Sequence, residues 1–191
     1  ALTGAGHEGV LAVTQPDKPK GRGKAVQFPP VKQTALAHNI EVFQPQRIRR
    51  PENVARLAGY SPDIIIVAAF GQILPAQVLE LPPYGCVNVH ASLLPRYRGS
   101  SPVQWAIING DAKSGVTTMQ MDEGIDTGDM LEKSEVILAP DETGGSLFYK
   151  LAQAGAKLCL STIARIENGT ITRTAQNEAE ATYVGMITKQ M

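Results

Sequence analysis

The sequence predicts an α/β protein built on an open, mostly parallel twisted sheet with helices on both faces. Three observations predict it. The run Asp63-Ile-Ile-Ile-Val-Ala-Ala-Phe70 is apolar throughout after Asp63, as a strand buried on both faces of a parallel sheet must be. Strand-like and helix-like segments alternate along the chain. The longest helical pattern, Gly144 to Glu167, repeats its apolar positions at helical spacing and ends at Asn168-Gly169.

The elements follow in order. Ala1 to His7 reads as the end of a helix and leads into an apolar strand from Gly9 to Thr14; position 1 is not Met, so a segment upstream is expected to be missing. Gln15-Pro-Asp-Lys-Pro-Lys-Gly-Arg-Gly-Lys24 excludes helix and interior strand through its Pro and Gly, which predicts a long surface loop. Pro29 or Pro30 opens a helix to about His38, with a short strand near Val42 and a helix over Glu52 to Leu57. After the 63–70 strand comes Gly85-Cys-Val-Asn-Val-His90, then a turn through Pro95 and Gly99. A helix from Pro102 to about Asn109 follows, with Ser101 and Gln104 as a capping box and Pro102 at the first helical position. Val116 to Met121 and Met130 to Leu138 form two strands whose acidic connecting loop carries Asp126. The inward stripe of the long helix is Leu147, Leu151, Ala154, Leu158, Thr162 and Ile166, and the polar, aperiodic residues beyond it read as a linker. In an open Rossmann-like sheet, ligands bind beyond the carboxyl ends of the strands, which is where the 85–90 strand delivers its last residues.

Composition bounds the function. A chain of 191 residues buries one core, its 43% hydrophobic and 19% charged residues describe a globular protein, and no apolar run reaches the length of a membrane span. Cys86 and Cys159 have neither redox nor zinc spacing, which favours a reducing cytoplasm, and Asn168-Gly169-Thr170 is a chance match to a glycosylation triplet. His7, His38 and His90 form no ligand cluster, so no metal is expected. Net charge is zero, but the first third is basic (Lys18, Lys20, Arg22, Lys24, Lys32, Arg47, Arg49, Arg50, Arg56) and Asp122 to Glu142 is acidic; that asymmetry suits a polyanionic substrate such as RNA.

Two nucleotide-binding patterns fail on context. Gly4-Ala-Gly6-His-Glu-Gly9 precedes a strand instead of joining a strand to a helix, so it cannot seat a pyrophosphate. Gly21-Arg-Gly-Lys24 lacks the upstream Gly and the following Ser or Thr of a phosphate loop. The informative pair is Asn88-Val-His90. Strand alternation turns Asn88 and His90 to one face and Val87 and Val89 to the other. An amide that can donate to a developing oxyanion beside an imidazole that can carry a proton suits acyl transfer.

Together with Ser92-Leu-Leu-Pro-Arg-Tyr-Arg-Gly99 and Asp122-Glu-Gly-Ile-Asp126-Thr-Gly128, this pair resembles the 10-formyltetrahydrofolate-dependent formyltransferases over almost the whole chain. The resemblance implies Asn88, His90 and Asp126 as catalytic residues. It implies folate contacts at Phe70, Gly71, Gln72, Ile73 and Leu74, at Ser92, Leu93, Leu94 and Pro95, and at Met121, Asp122, Glu123, Gly124 and Ile125; for Ile73 and Leu74 a core role competes. The 15–24 stretch and Ser101-Pro-Val-Gln-Trp-Ala-Ile-Ile-Asn-Gly110 resemble the branch whose acceptor is methionyl-initiator tRNA, which assigns Lys18, Lys20, Arg22 and Lys24 to RNA contact. The implied reaction is attack of the methionyl α-amine on the formyl carbon through a tetrahedral intermediate, with Asn88 on the oxyanion and Asp126 orienting His90. A sibling formyltransferase acting on a sugar-nucleotide or glycinamide ribonucleotide amine, a formyltetrahydrofolate hydrolase, and a noncatalytic tRNA- or folate-binding fragment stay open as alternatives. The family pattern further implies a catalytic domain over residues 1–172 and a linker over 173–191 toward a C-terminal tRNA-binding domain. It also implies a first strand ahead of Ala1, a monomer, and low stability and activity for these 191 residues alone.

Overall fold

The structure, a computed structural model, describes residues 1–20, 25–188 and 190. The chain divides into two compact units, one of Ala1–Asp63 with Phe70–Pro83, the other of Ile64–Ala69 with Tyr84–Met191.

In the first unit a 3-10 turn, Thr3–Ala5, stands where the end of a helix is expected, and β1 (Ala12–Val13) pairs in parallel with β4 (Val42–Phe43). In the basic stretch, β2 (Lys18–Lys20) pairs antiparallel with β3 (Ala25–Gln27), a pairing that accommodates Pro19 because among the described residues neither strand has a second neighbour. Three helices complete the unit, α1 (Pro30–Ala37), α2 (Pro51–Ala58) and α3 (Ala76–Leu79). Pro30 and Pro51 open α1 and α2, since a first-turn residue has no intrahelical N–H bond to lose. The buried hydrophobic side chains of its core are Ala35, Phe43, Ile48, Leu57, Leu74 and Val78.

The second unit holds β5 (Ile65–Val67), β6 (Cys86–His90), β7 (Arg98–Gly99), α4 (Pro102–Ile108), β8 (Lys113–Gln120), β9 (Met130–Ile137), α5 (Gly144–Glu167), a 3-10 turn (Glu178–Glu180) and β10 (Tyr183–Val184). Its main sheet runs β5-β6-β8-β9, with β5 and β6 parallel and the next two pairings antiparallel, so the α/β sheet is mixed. The short 121–129 connection accounts for the antiparallel pairing of β8 with β9, while β8 reverses against β6 after the longer 91–112 connection that holds α4.

Helix α5 has the expected bounds. Its buried face is Leu147, Leu151, Gly155, Cys159, Thr162 and Ile163, while Ala154, Leu158 and Ile166 are only half-buried. Gly155 explains the offset: a Cβ there would lie 3.0 Å from a Val89 methyl and 3.5 Å from a Val116 methyl, so the helix approaches the sheet at a residue that carries no hydrophobic signal. Leu147 and Leu151 join Tyr97, Val103, Ala106 and Val116 in the core on that side, each Leu contributing about 2 kcal/mol of burial.

The helix caps differ from expectation. Ser101 lies in the left-handed region (φ 61, ψ 35) and its side chain caps nothing, because Ser100 N–H is drawn to Val184 C=O (2.9 Å) and the chain must turn sharply into α4. Pro102 is at the helix start as expected. The capping box is instead at α5, where Thr143 and Ser146 satisfy each other's backbone N–H groups. Of residues 173–191, expected to be a linker, the stretch 174–184 bonds to the rest of the second unit at several points. Thr174 bridges Met130, and β10 pairs in parallel with β7.

Candidate active site

The last residues of β6 supply Asn88 and His90, both buried, on the sheet face opposite α5. Val89, packed into the α5 core, and Gly155 beneath it fix which way the strand faces. Asp126 arrives from the loop between β8 and β9. Its φ of 55 is left-handed, a conformation that costs a non-glycine residue on the order of 1 kcal/mol.

Asp126 is the hub. Its Oδ1 accepts a hydrogen bond from Asn88 Nδ2 (3.3 Å) and lies 3.7 Å from His90 Nδ1; its Oδ2 accepts from the Gly99 N–H at 2.8 Å. His90 Nε2 lies 2.9 Å from the carbonyl oxygen of Tyr97. A carbonyl can only accept, so Nε2 carries the hydrogen and Nδ1 is the nitrogen free to gain or lose a proton. The Asn88 amide has a second hydrogen beyond the one given to Asp126, available for an oxygen that gains charge.

The loop Ser92–Arg98 is fastened over this face. Thr117, fully buried in β8, donates its hydroxyl to Ser92 C=O (2.7 Å) and accepts from Leu94 N–H (3.1 Å). Lys133 reaches across from β9 to Leu94 C=O (2.5 Å), and burial holds its ammonium below the usual lysine range. Ser92 Oγ donates to Arg96 C=O. The Leu94-Pro95 bond is cis, and Leu94 packs with Met119 and Met130. These bonds hold the Tyr97 carbonyl where His90 needs it.

The other expected ligand residues are placed as follows. Leu93 is half-buried and Pro95 buried; Met121 is half-buried with its N–H on Cys86 C=O. Asp122 turns its Oδ1 to Gly124 N–H and the Thr127 hydroxyl, which shapes the 122–127 loop, and Glu123, Gly124 and Ile125 are exposed, Ile125 at 57%. In the first unit, Phe70 C=O accepts from Gln15, Gly71 takes a left-handed φ of 72, and Gln72 braces the 45–48 turn through Ile48 N–H and Pro45 C=O. Leu74 is a core residue, whereas Ile73 is 74% exposed. Lys18 is exposed and Lys20 ends β2; Arg22 and Lys24 lie outside the described residues.

Sequence reasoning missed the Tyr97 carbonyl, the Gly99 N–H and Gln176, whose Nε2 donates to Asp126 C=O and Gly128 C=O, each at 2.8 Å. Backbone groups leave no mark in a sequence, and a lone Gln in a polar tail leaves little. Burial pushes the Cys86 thiol up to about 12 and the Cys159 thiol upward as well, which removes both as thiolate nucleophiles. Among the described residues no group of three or more His, Cys, Asp or Glu could hold a metal ion, and no helix is long and apolar enough to cross a membrane.

An amide, an imidazole and a carboxylate meeting at the end of a sheet strand, without a reactive thiolate, are the parts of an acyl-transfer centre. Residues 2–163 match the formyl transferase family, and the chain belongs to it. It is 62% identical over 191 residues to the methionyl-tRNA formyltransferase of Agathobacter rectalis, covering 100% of this chain and 62% of that protein. The methionyl-tRNA formyltransferase of Lachnospira eligens is 54% identical over 189 residues, with 99% of this chain and 60% of that protein covered. The chain thus spans about three-fifths of the length of these curated relatives. Among solved structures it resembles phosphoribosylglycinamide formyltransferase from Bacillus halodurans, with a TM-score of 0.71 and 25% identity over 86% of this chain and 84% of that one.

Proposed function

We propose that this chain is the catalytic part of a methionyl-tRNA formyltransferase, which moves a formyl group from 10-formyltetrahydrofolate to the α-amine of methionyl-initiator tRNA. The observation that carries the reading is the convergence of Asn88, His90 and Asp126, with the reactive Nδ1 of His90 turned toward the carboxylate. The 54–62% identity to two methionyl-tRNA formyltransferases over nearly the whole chain supports the choice of acceptor, and the basic stretch beginning at Lys18 supports a polyanionic partner.

The co-substrate fits what the second unit offers: the exposed Ile125 gives apolar contact, and the buried Asn88 gives a directed donor. Bound there, 10-formyltetrahydrofolate supplies the formyl carbon, whose bond to the folate nitrogen is replaced by a bond to the methionyl nitrogen. The chain's own residues do the rest. Asn88 Nδ2–H donates to the formyl oxygen as it takes on negative charge. His90 Nδ1 takes the proton that the attacking amine must lose, or holds one close to the charged oxygen, while Nε2–H stays on Tyr97 C=O and keeps the ring from turning. Asp126 faces His90 Nδ1 at 3.7 Å, which orients the ring, and holds the Asn88 amide. The proton finally goes to the departing folate nitrogen, giving formyl-methionyl-tRNA and tetrahydrofolate. We place this reaction in the cytoplasm, with residues 1–172 as the body of the catalytic domain.

Acceptor choice is tested by incubating the intact enzyme of which we propose this chain to be the catalytic part, and 10-formyltetrahydrofolate, with methionyl-initiator tRNA, glycinamide ribonucleotide, an amino-sugar nucleotide, or water alone. Formylation confined to the charged tRNA is expected. Formyl transfer to either small amine at a comparable rate, or formate release without acceptor, would contradict the reading.

A further inference from the structure

We infer that Gln176 is a positioning residue for the catalytic carboxylate, and that the segment 174–184, beyond the residues matched by the family, is thereby part of the catalytic apparatus. This rests on the reading of Asn88, His90 and Asp126 as the reaction centre. The Gln176 amide has one orientation that satisfies its neighbours. Its Nε2 donates to Asp126 C=O and Gly128 C=O, groups that can only accept, and its Oε1 accepts from Arg98 Nε at 2.9 Å, a group that can only donate. The amide therefore clamps both sides of the left-handed residue that carries the carboxylate.

The clamp is anchored from behind. Arg98 is fully buried, and its guanidinium donates through Nη1 and Nη2 to the two oxygens of Glu178 (3.0 and 2.6 Å) and through Nη1 to Tyr183 OH at 2.7 Å. That fork uses the planar geometry of guanidinium against carboxylate. The Arg98 partnership holds the Glu178 carboxyl below the usual range. The pairing of β10 with β7 adds Arg98 N–H to Thr182 C=O (2.8 Å) and Ser100 N–H to Val184 C=O (2.9 Å). Between those two residues lies Gly99, whose N–H holds the other carboxylate oxygen of Asp126. A Cβ on Gly99 would fall 2.5 Å from Val184 O, so the tail and β7 meet at backbone distance. One segment thus fixes Asp126 twice, at its backbone through Gln176 and at its side chain through Gly99.

Single-turnover formyl transfer by the intact enzyme that carries this chain tests this with Gln176→Glu, which keeps the partner for Arg98 but faces the two carbonyls with an acceptor, and with Gln176→Ala. Both should lower kcat by roughly 10- to 100-fold, the cost of a misplaced catalytic group, with KM for either substrate within about twofold. Gln176→Glu should melt within a few degrees of the parent. In an Asp126→Ala background the Gln176→Glu loss should vanish, because the clamp then has no carboxylate to place. Trp105→Phe, which frees the tail only at Gly185 C=O, should leave kcat unchanged. The proposal is overturned if Gln176→Glu keeps full kcat, if its loss persists undiminished in the Asp126→Ala background, or if the effect is a raised KM with a lowered melting temperature. Full activity in Asp126→Ala itself would sink the reaction centre, and the proposal with it, and is told apart by that variant alone.

Discussion

Thr117 sits in the middle of β8 with no solvent exposure, and its hydroxyl serves both Ser92 C=O and Leu94 N–H. Replacing it with Val keeps the shape but leaves a buried carbonyl and a buried N–H without partners. The loss of roughly 2 kcal/mol that one or two such orphans bring should appear as a lowered denaturant midpoint with an unchanged slope. Since the loop it fastens carries the Tyr97 carbonyl, kcat should fall with it; an unchanged midpoint would show that the loop is held elsewhere. At this scale the sequence revealed what alternation and residue type encode. Asn88 and His90 were legible because two residues on one strand share a face, and Asp126 because it completes a spaced pattern. Tyr97 C=O was not, because a carbonyl is common to every residue and only the path of the Ser92–Arg98 loop aims this one at His90.

Among the elements, α5 was the most legible, since its pattern is long and its Asn168-Gly169 end has Gly169 at a left-handed φ of 70. Its start shows what a pattern omits. Glu142 precedes the Thr143 cap and pairs with Lys150 and Ser146, which holds its carboxyl at about 2 against an ordinary 4.5. A depressed carboxyl stabilises the fold fully above its unfolded value, and that contribution is lost as pH falls through the folded one. The melting-temperature gap between the parent and Glu142→Gln should therefore be constant above about pH 5 and close as pH falls from 4.5 toward 2. A gap independent of pH over that range would refute the pairing. The two-residue strands β7 and β10 were illegible because such short elements have no period; they exist through a long-range pairing that joins Tyr183 to Arg98. The capping motif expected at Ser101 failed for the same reason, a tertiary bond to Val184 overriding a local preference.

For the whole molecule, the α/β class followed from alternating elements and an unbroken apolar run. The mixed direction of the sheet did not, since a short β8–β9 connection and a longer crossover look alike until the strand ends are known. The zero net charge divides in a way that matters: the basic stretch and Arg47, Arg49 and Arg50 belong to the first unit, while the reaction centre and the acidic 122–142 segment belong to the second. On the proposed function, recognition of a polyanion and chemistry at a formyl carbon would draw on different parts of the chain. The account stands or falls on the second part. Single-turnover formyl transfer to methionyl-initiator tRNA, measured for Asn88→Ala, His90→Ala and Asp126→Ala in the intact enzyme that carries this chain, tests it most directly. Each variant is expected to fold and to react at least about 10²-fold more slowly, the usual effect of removing an oxyanion donor or a positioned proton carrier. Near-parental rates in all three would show that the convergence of these residues is structural and that the chemistry lies elsewhere.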